Sequence, residues 1–397
     1  MSIRLGNGNW AVSSSKLLAY NDAAGPFFNK EFDFTRATSA TRINKSGLIE
    51  LVDNNIARID FTGSSDGHLL IEKESTNLIT FSEDLEVSSG GTSRQNNATT
   101  TASSLPSPDG GTNAFTFVYD GTFNASIKKQ IAVSADEVIT FSVFIKKTEE
   151  TNFSGDSKCQ IGIFNNVVST ETTPLGNALN AATIGEWVRY SVTATADSDG
   201  GNVVPNIRCD EAAQFDVFGW QLENNSFATS YIPTSGSTVT RNTETCLDSG
   251  TSQDFNSLEG VLYCEIAGLA DGHINRNIAI SDGTTSNTAE VFLQAAEGNI
   301  KFRLKASGTA DVQGTIPAND QLAFNKCAFK YKSGESSFFI NGVKVREDTD
   351  TFNLSGSLSE LNFSAGNSAT NLFEGKVREV RVYTKALTEA ELITLTT

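Results

Sequence analysis

Ile139, Phe141, Val143 and Ile145 alternate with Thr140, Ser142, Phe144 and Lys146, a period of two that an extended strand with one dry and one wet face satisfies and a helix does not. The pattern returns in Gly185 to Thr193, where Val188, Tyr190 and Val192 share a face. It returns again where Ile300, Phe302 and Leu304 alternate with Lys301, Arg303 and Lys305. Phe215 to Leu222 places Phe218, Trp220 and Leu222 on one side, as expected of a strand facing a core. In Phe338-Phe-Ile340-Asn341-Gly342-Val343-Lys-Val345 the Asn-Gly pair supplies the two positive φ values of a type I′ turn and fixes a hairpin in register. With 32 glycines and only 7 prolines, the chain is rich in tight turns between short strands. Only the end, where Thr388 and Glu391 form a Thr-x-x-Glu capping box, predicts a helix. The fold class is therefore all-β, built from antiparallel sandwiches.

A length of 397 residues accommodates two or three domains. Residues 1–76 hold little continuous apolar surface and form a first module that orders against a neighbour, either the next domain or partner subunits. Residues 77–245 read as a jelly-roll-like sandwich that opens on a Ser/Thr/Gly-rich stretch. The polar run Asp248-Ser-Gly-Thr-Ser-Gln leads into a second sandwich, placed at 246–397.

A net charge of −17 argues against nucleic acid, whose phosphates require basic patches. Cys159, Cys209, Cys246, Cys264 and Cys327 lack any CxxC spacing and read as small core residues, which a reducing compartment would leave as thiols. The start has no apolar segment of a signal peptide, and no stretch is long enough to cross a bilayer. His68 and His273 each follow Asp-Gly and are expected as exposed turn histidines, which leaves no histidine-dependent triad or His-rich metal site. Glu31-Phe-Asp33 is the nearest approach to the alternating acids of a sandwich glucanase and lacks the third acid, so no catalytic residue is assigned and no enzyme is expected. No cofactor is expected either.

Several words resemble one family. Phe34-Thr-Arg36-Ala-Thr-Ser-Ala-Thr41-Arg42, Gly47-Leu-Ile-Glu50, Leu69-Leu70-Ile71-Glu72 and Thr76-Asn77-Leu78 resemble, in order and spacing, the N-terminal module of tailed-phage fibre and appendage proteins. Phe218-Gly-Trp220-Gln-Leu-Glu223 and Ser226-Phe-Ala-Thr-Ser-Tyr231-Ile-Pro233-Thr are similar to the closing strand and exit of that family's middle sandwich, and residues 255 to 392 resemble a laminin-G or concanavalin-like lectin domain. Where relatives often carry Cys-Pro before the Leu-Leu-Ile/Leu-Glu strand, this chain has Asp66-Gly67-His68. The resemblance implies a virion structural protein whose N-terminal module holds other virion proteins. It further implies a homotrimer, and sandwiches that adhere to a host surface glycan. A tail fibre or receptor-binding appendage is one version and a head fibre or capsid decoration protein the other, with a depolymerase or a prophage-encoded lectin further off.

Lectin sites stack an aromatic face on the sugar beside polar side chains. Among the aromatic residues, Trp187 and Trp220 lie within alternating strands and are expected in cores, and Trp10 is expected to anchor the first module. Tyr119, Phe123, Tyr231 and Tyr263 are candidate stackers whose commoner role is packing. Asp271, Asp282 and Asn287 lie in turn-rich loops that could hold structural calcium, although solvated turn residues are the default.

Overall fold

A computed structural model describes residues 1–13, 16–19, 30–86, 93–95, 98–122, 125–164, 171–270, 274–295, 298–317, 320–368 and 371–397. Its strands form two antiparallel sandwiches, as the alternation requires. The first joins a five-stranded sheet, in the order Thr99–Ala102, Phe115–Tyr119, Ala213–Glu223, Val138–Lys147 and Trp187–Thr195, to a second sheet centred on Gly201–Cys209 and Cys159–Phe164. Phe117, Ile139, Phe141, Val143, Phe215, Trp220 and Leu222 fill the space between them.

The second sandwich has a face running Val343–Asp348, Ser336–Ile340, Asn325–Lys332, Glu259–Ala267, Gly375–Tyr383, His68–Ile71 and Arg58–Asp60. Opposite it stand Thr309–Ile316, Ile300–Ala306, Thr288–Leu293, Arg276–Ser281 and Glu360–Asn362. Asn341 and Gly342 have φ of 49° and 81°, so the hairpin turn is of the expected hand. Thr388 and Glu391 complete their capping box on the helix Glu389–Thr396, whose Leu392 packs over Val261, Tyr263 and Phe339.

Residues 1–76, expected as a first module ordered against the next domain or partner subunits, are instead built into the second sandwich. Ile3–Gly6 and His68–Ile71 both pair with Gly375–Tyr383, and Lys30–Thr35 pairs with Thr245–Leu247. Ile3, Leu5, Phe32, Phe34, Leu69 and Ile71 consequently enter the same core as Phe302, Phe338 and Val380. The physical reason is the scarcity of apolar surface already noted: these short strands bury their apolar side chains only by joining a larger sheet. The first sandwich is thus spliced between two parts of the second, and the chain crosses over and back through the paired strands Ser75–Asn77 and Val239–Arg241.

Phe218 also departs from expectation. Gly219 has a φ of +67°, and the pairing of Val138–Lys147 with Ala213–Glu223 shifts register between Ser142 and Phe144. A bulge of this kind reverses the facing of everything before it. Trp220 and Leu222 face the core, whereas Phe218 emerges on the outer face with Tyr231, Ile49 and Ala114.

All five cysteines are buried thiols, and two pairs, Cys159 with Cys209 and Cys264 with Cys327, lie directly across neighbouring strands. Burial pushes the Cys209, Cys246 and Cys264 thiols upward in pKa and so suppresses the reactive thiolate. Native protein is therefore expected to resist maleimide, and protein unfolded without reductant to take up five equivalents by mass. Three or fewer equivalents would reveal a disulfide across one of these pairs.

Candidate functional site

The outer face of the five-stranded sheet does not meet solvent throughout. The hairpin of Ala40–Ile43 and Ile49–Val52 and the strands Arg58–Asp60 and His68–Ile71 stand over it, leaving a cleft of about 920 Å³ between the two sandwiches. One wall carries Phe144, Lys146, Trp187, Arg189 and Tyr231, and the other Ile43, Asp60, His68, Leu70 and Lys376. Leu48, Leu105 and Ile184, each more than a third exposed, lie at its rim. The volume falls in the range of sites for small ligands, about 300–1,000 Å³.

Each aromatic on this face is held by a named partner. Trp187 is half-buried, donates its indole N–H to the Pro106 carbonyl at 3.1 Å, and has the Lys146 ammonium 4.5 Å from its ring centre. Lys146 in turn pairs with Asp216 at 3.1 Å. Tyr231 is buried and its hydroxyl meets Ser82 Oγ at 2.7 Å and Glu83 Oε1 at 3.0 Å. Burial raises both the Tyr231 and the Glu83 pKa, so at neutral pH the phenol stays protonated. The Arg189 guanidinium lies 5.2 Å from the Phe144 ring centre.

Behind the cleft lies a buried ionic cluster. Three guanidinium groups, Arg36, Arg58 and Arg241, surround two carboxylates, Glu72 and Glu244, all nearly or fully buried. Glu244 accepts from Arg36 Nη1 at 2.7 Å, from Arg58 Nε at 2.8 Å and from the Glu72 backbone N–H at 2.9 Å, and Arg58 Nη2 also reaches it. Glu72 accepts from Arg58 at 2.8 Å and from the Ser230 backbone and hydroxyl at 2.8 and 2.6 Å. Burial alone would raise the Glu72 carboxyl, but Arg241, Arg58 and the Ser230 bonds outweigh it and hold the group at about 2. The cluster therefore ties both crossing segments and the exit of the first sandwich to one point.

His68 contradicts its expected exposure. Gly67, with a φ of +70°, takes the turn, and the strand begins at His68 itself. Leu69 and Ile71 face the core of the second sandwich, so by alternation His68 and Leu70 face the cleft. Burial lowers the imidazole to about 4 despite Asp60 at 3.7 Å, and neither ring nitrogen has a hydrogen-bond partner. His273 lies outside the described residues, as do Phe123 and Asp271.

Of the two tryptophans expected in cores, Trp220 is buried there and Trp187 is not. The signal was available: Trp187 has the parity of Arg189, Ser191 and Thr193, opposite to Tyr190 and Val192. Tyr119 packs in the first core and Tyr263 beneath the terminal helix. Trp10 packs against the second core and donates to the Asp66 carbonyl at 2.8 Å, as an anchor would. Glu31 and Asp33 both meet Lys16 and form no acid pair in a cleft. Asp282 accepts from the Asn287 amide at 2.7 Å, while Asn287 Oδ1 accepts from the backbone N–H groups of Ser307 and Ser355. These two described candidates for calcium are engaged in turn bonds and offer no converging set of oxygens.

The sequence of the second sandwich decides its kinship. Residues 270–393 match the concanavalin A-like lectin/glucanases superfamily, through its laminin G-type model. The second sandwich is accordingly a laminin G/concanavalin A-like domain. No curated protein matches the sequence. Among solved structures, a sialidase carbohydrate-binding module of Ruminococcus gnavus bound to α2,6-sialyllactose is 16% identical over 38% of this chain and 94% of its own, with a TM-score of 0.33. Mouse laminin α1 domains LG4-5 are 9% identical over 64% of this chain and 86% of their own, TM-score 0.25. A tail fibre protein from a phage of E. coli is 10% identical over 69% of this chain and 36% of its own, TM-score 0.22. Among the described residues no helix is long and apolar enough to cross a membrane.

Proposed function

We propose that this chain is a glycan-binding adhesin of a tailed-phage virion, a tail fibre or receptor-binding appendage that holds a host surface glycan without cleaving it. The observation that carries the binding reading is Trp187, a half-buried indole on the cleft wall with cationic and hydroxyl groups alongside, the combination that sugar sites use to stack a pyranose and fix its orientation. A neighbouring lectin-like sandwich supports it. Binding without turnover is supported by the acids of the cleft: Glu72 is engaged by Arg58, and Asp60 accepts the Ile43 and Thr62 backbone N–H groups at 2.8 and 2.9 Å. The virion role rests on the motif words of residues 34–78, and a homotrimer would multiply weak sites through effective concentration.

Two measurements test this. Trp187→Ala is expected to weaken binding to a host-surface polysaccharide about tenfold or more, on the scale of a lost aromatic anchor. Unchanged affinity would remove the cleft as the site. Purified wild-type protein, pre-incubated with host cells, is expected to reduce phage adsorption in a dose-dependent manner; folded protein that leaves adsorption untouched would end the receptor-binding reading.

A further inference from the structure

We propose that the cleft selects an anionic saccharide, one whose sugar ring bears a carboxylate or a sulfate half-ester. This rests on the cleft being the sugar site and goes further by fixing the charge of the ligand. Three of the cations lining the cleft are already matched by an acid: Lys146 by Asp216, Lys147 by Glu150 and Arg42 by Glu50. Two are not. Arg189 Nη1 donates to the Thr229 carbonyl at 2.5 Å and Nη2 to the Ser142 hydroxyl at 2.9 Å, both neutral oxygens. Its Nε is buried with no partner, and among the described residues no carboxylate lies within 4 Å of the guanidinium. Lys376, on the wall supplied by the lectin-like sandwich, likewise has no ion pair or hydrogen bond among the described residues.

A charge taken out of water without a counter-charge is costly, and the buried Arg58 and Arg36 each have one. Burial depresses the Arg189 pKa although Glu223 and Glu72 favour the charged form from beyond ion-pair distance, so a closer anion would add to them. In a chain of net charge −17, two cations without an ion pair among the described residues face one cleft from opposite walls, which favours a negative group between them. Beside them stand Trp187 for the sugar face and the imidazole of His68, whose ring nitrogens make no hydrogen bond. A ligand that joins a stackable ring to a negative group would supply what both cations lack.

The test is calorimetric titration of the intact chain with uronate oligosaccharides, the same oligosaccharides with their carboxylates methyl-esterified, and sulfated galactan oligomers of equal length. At low salt at least one acid is expected to bind about tenfold more tightly than its uncharged ester, a gap that narrows toward about 0.5 M NaCl as screening shortens to a few ångströms. Arg189→Gln and Lys376→Gln are each expected to lower the acid-to-ester ratio severalfold, with Arg189→Lys retaining part of it. Because Lys376 has no protein partner among the described residues, Lys376→Gln keeps the test decisive should Arg189→Gln fold poorly. Tighter binding of sulfated than of carboxylated oligomers would assign the anion as sulfate. Equal binding of acids and esters, or an acid preference that both Gln variants leave intact, would overturn the proposal while leaving the sugar site in place. Failure of every saccharide to bind would overturn both readings.

Discussion

Glu244→Gln is expected to destabilise the protein by about 3–5 kcal/mol, the usual loss when one member of a buried ion cluster is neutralised. The amide keeps the shape of the carboxylate but removes the charge that faces Arg36 and Arg58, and it offers one acceptor oxygen where the carboxylate offers two. Arg58 and Arg241 would then have Glu72 alone, and Arg36 would lose the carboxylate it pairs with. The loss should not stay local. Glu244 lies on the return crossing, Glu72 on the outward one, and Ser230 at the exit of the first sandwich, so the substitution loosens the splice between the two cores. Urea unfolding should show the fall in midpoint, and limited proteolysis should cut sooner between residues 72 and 77 or between 239 and 247. A loss below about 1 kcal/mol would mean that the carboxylate does not hold the arginines.

What the sequence disclosed follows the distance over which its signals act. The alternation of Ile139 to Lys146, the Asn341-Gly342 turn and the Thr388 cap are settled by residues within one strand or turn, and each appears where expected. The facing of Phe218 is not local, because it depends on a bulge formed with Ser142 and Phe144, on a strand far back in the chain. The membership of residues 1–76 in the second sandwich depends on pairing with Gly375–Tyr383, more distant still. The motif words carry a similar lesson. Arg36, Arg58 and Glu72 look like surface charge in any local reading, yet their partner Glu244 is brought to them by strand pairing from the far side of the first sandwich. The cleft was half visible: parity alone places Trp187 and Arg189 on one wall, whereas the wall bearing His68 and Lys376 comes from the splice.

That splice sets the second large effect, the response to acid. His68 is held neutral, with its pKa lowered to about 4 by burial, while an unfolded histidine titrates near 6.5. Between those values the unfolded chain binds the proton and the folded one does not, so this contribution to stability is full above about pH 6.5 and is lost as pH drops toward 4, by about 3 kcal/mol. The surroundings oppose each other: Asp60 favours the protonated ring, whereas Lys376 and Arg378 add to the burial that disfavours it. Glu72 acts lower, its contribution complete above about 4.5 and lost as pH falls through 2. The two windows therefore separate, and His68 governs the upper one. His68→Leu keeps an apolar body against Phe324 and removes the titration, while Asp60 retains its bonds from Ile43 and Thr62. Urea unfolding followed from about pH 7.5 to 4 should show both proteins losing stability, the variant by about 3 kcal/mol less than the wild type across the range. Parallel curves would show that the buried imidazole accepts its proton without opening the splice. Since His68 lines the same cleft as Arg189 and Lys376, a bound anionic sugar would favour the protonated ring and shift this transition to lower pH, linking ligand charge to the stability of the junction.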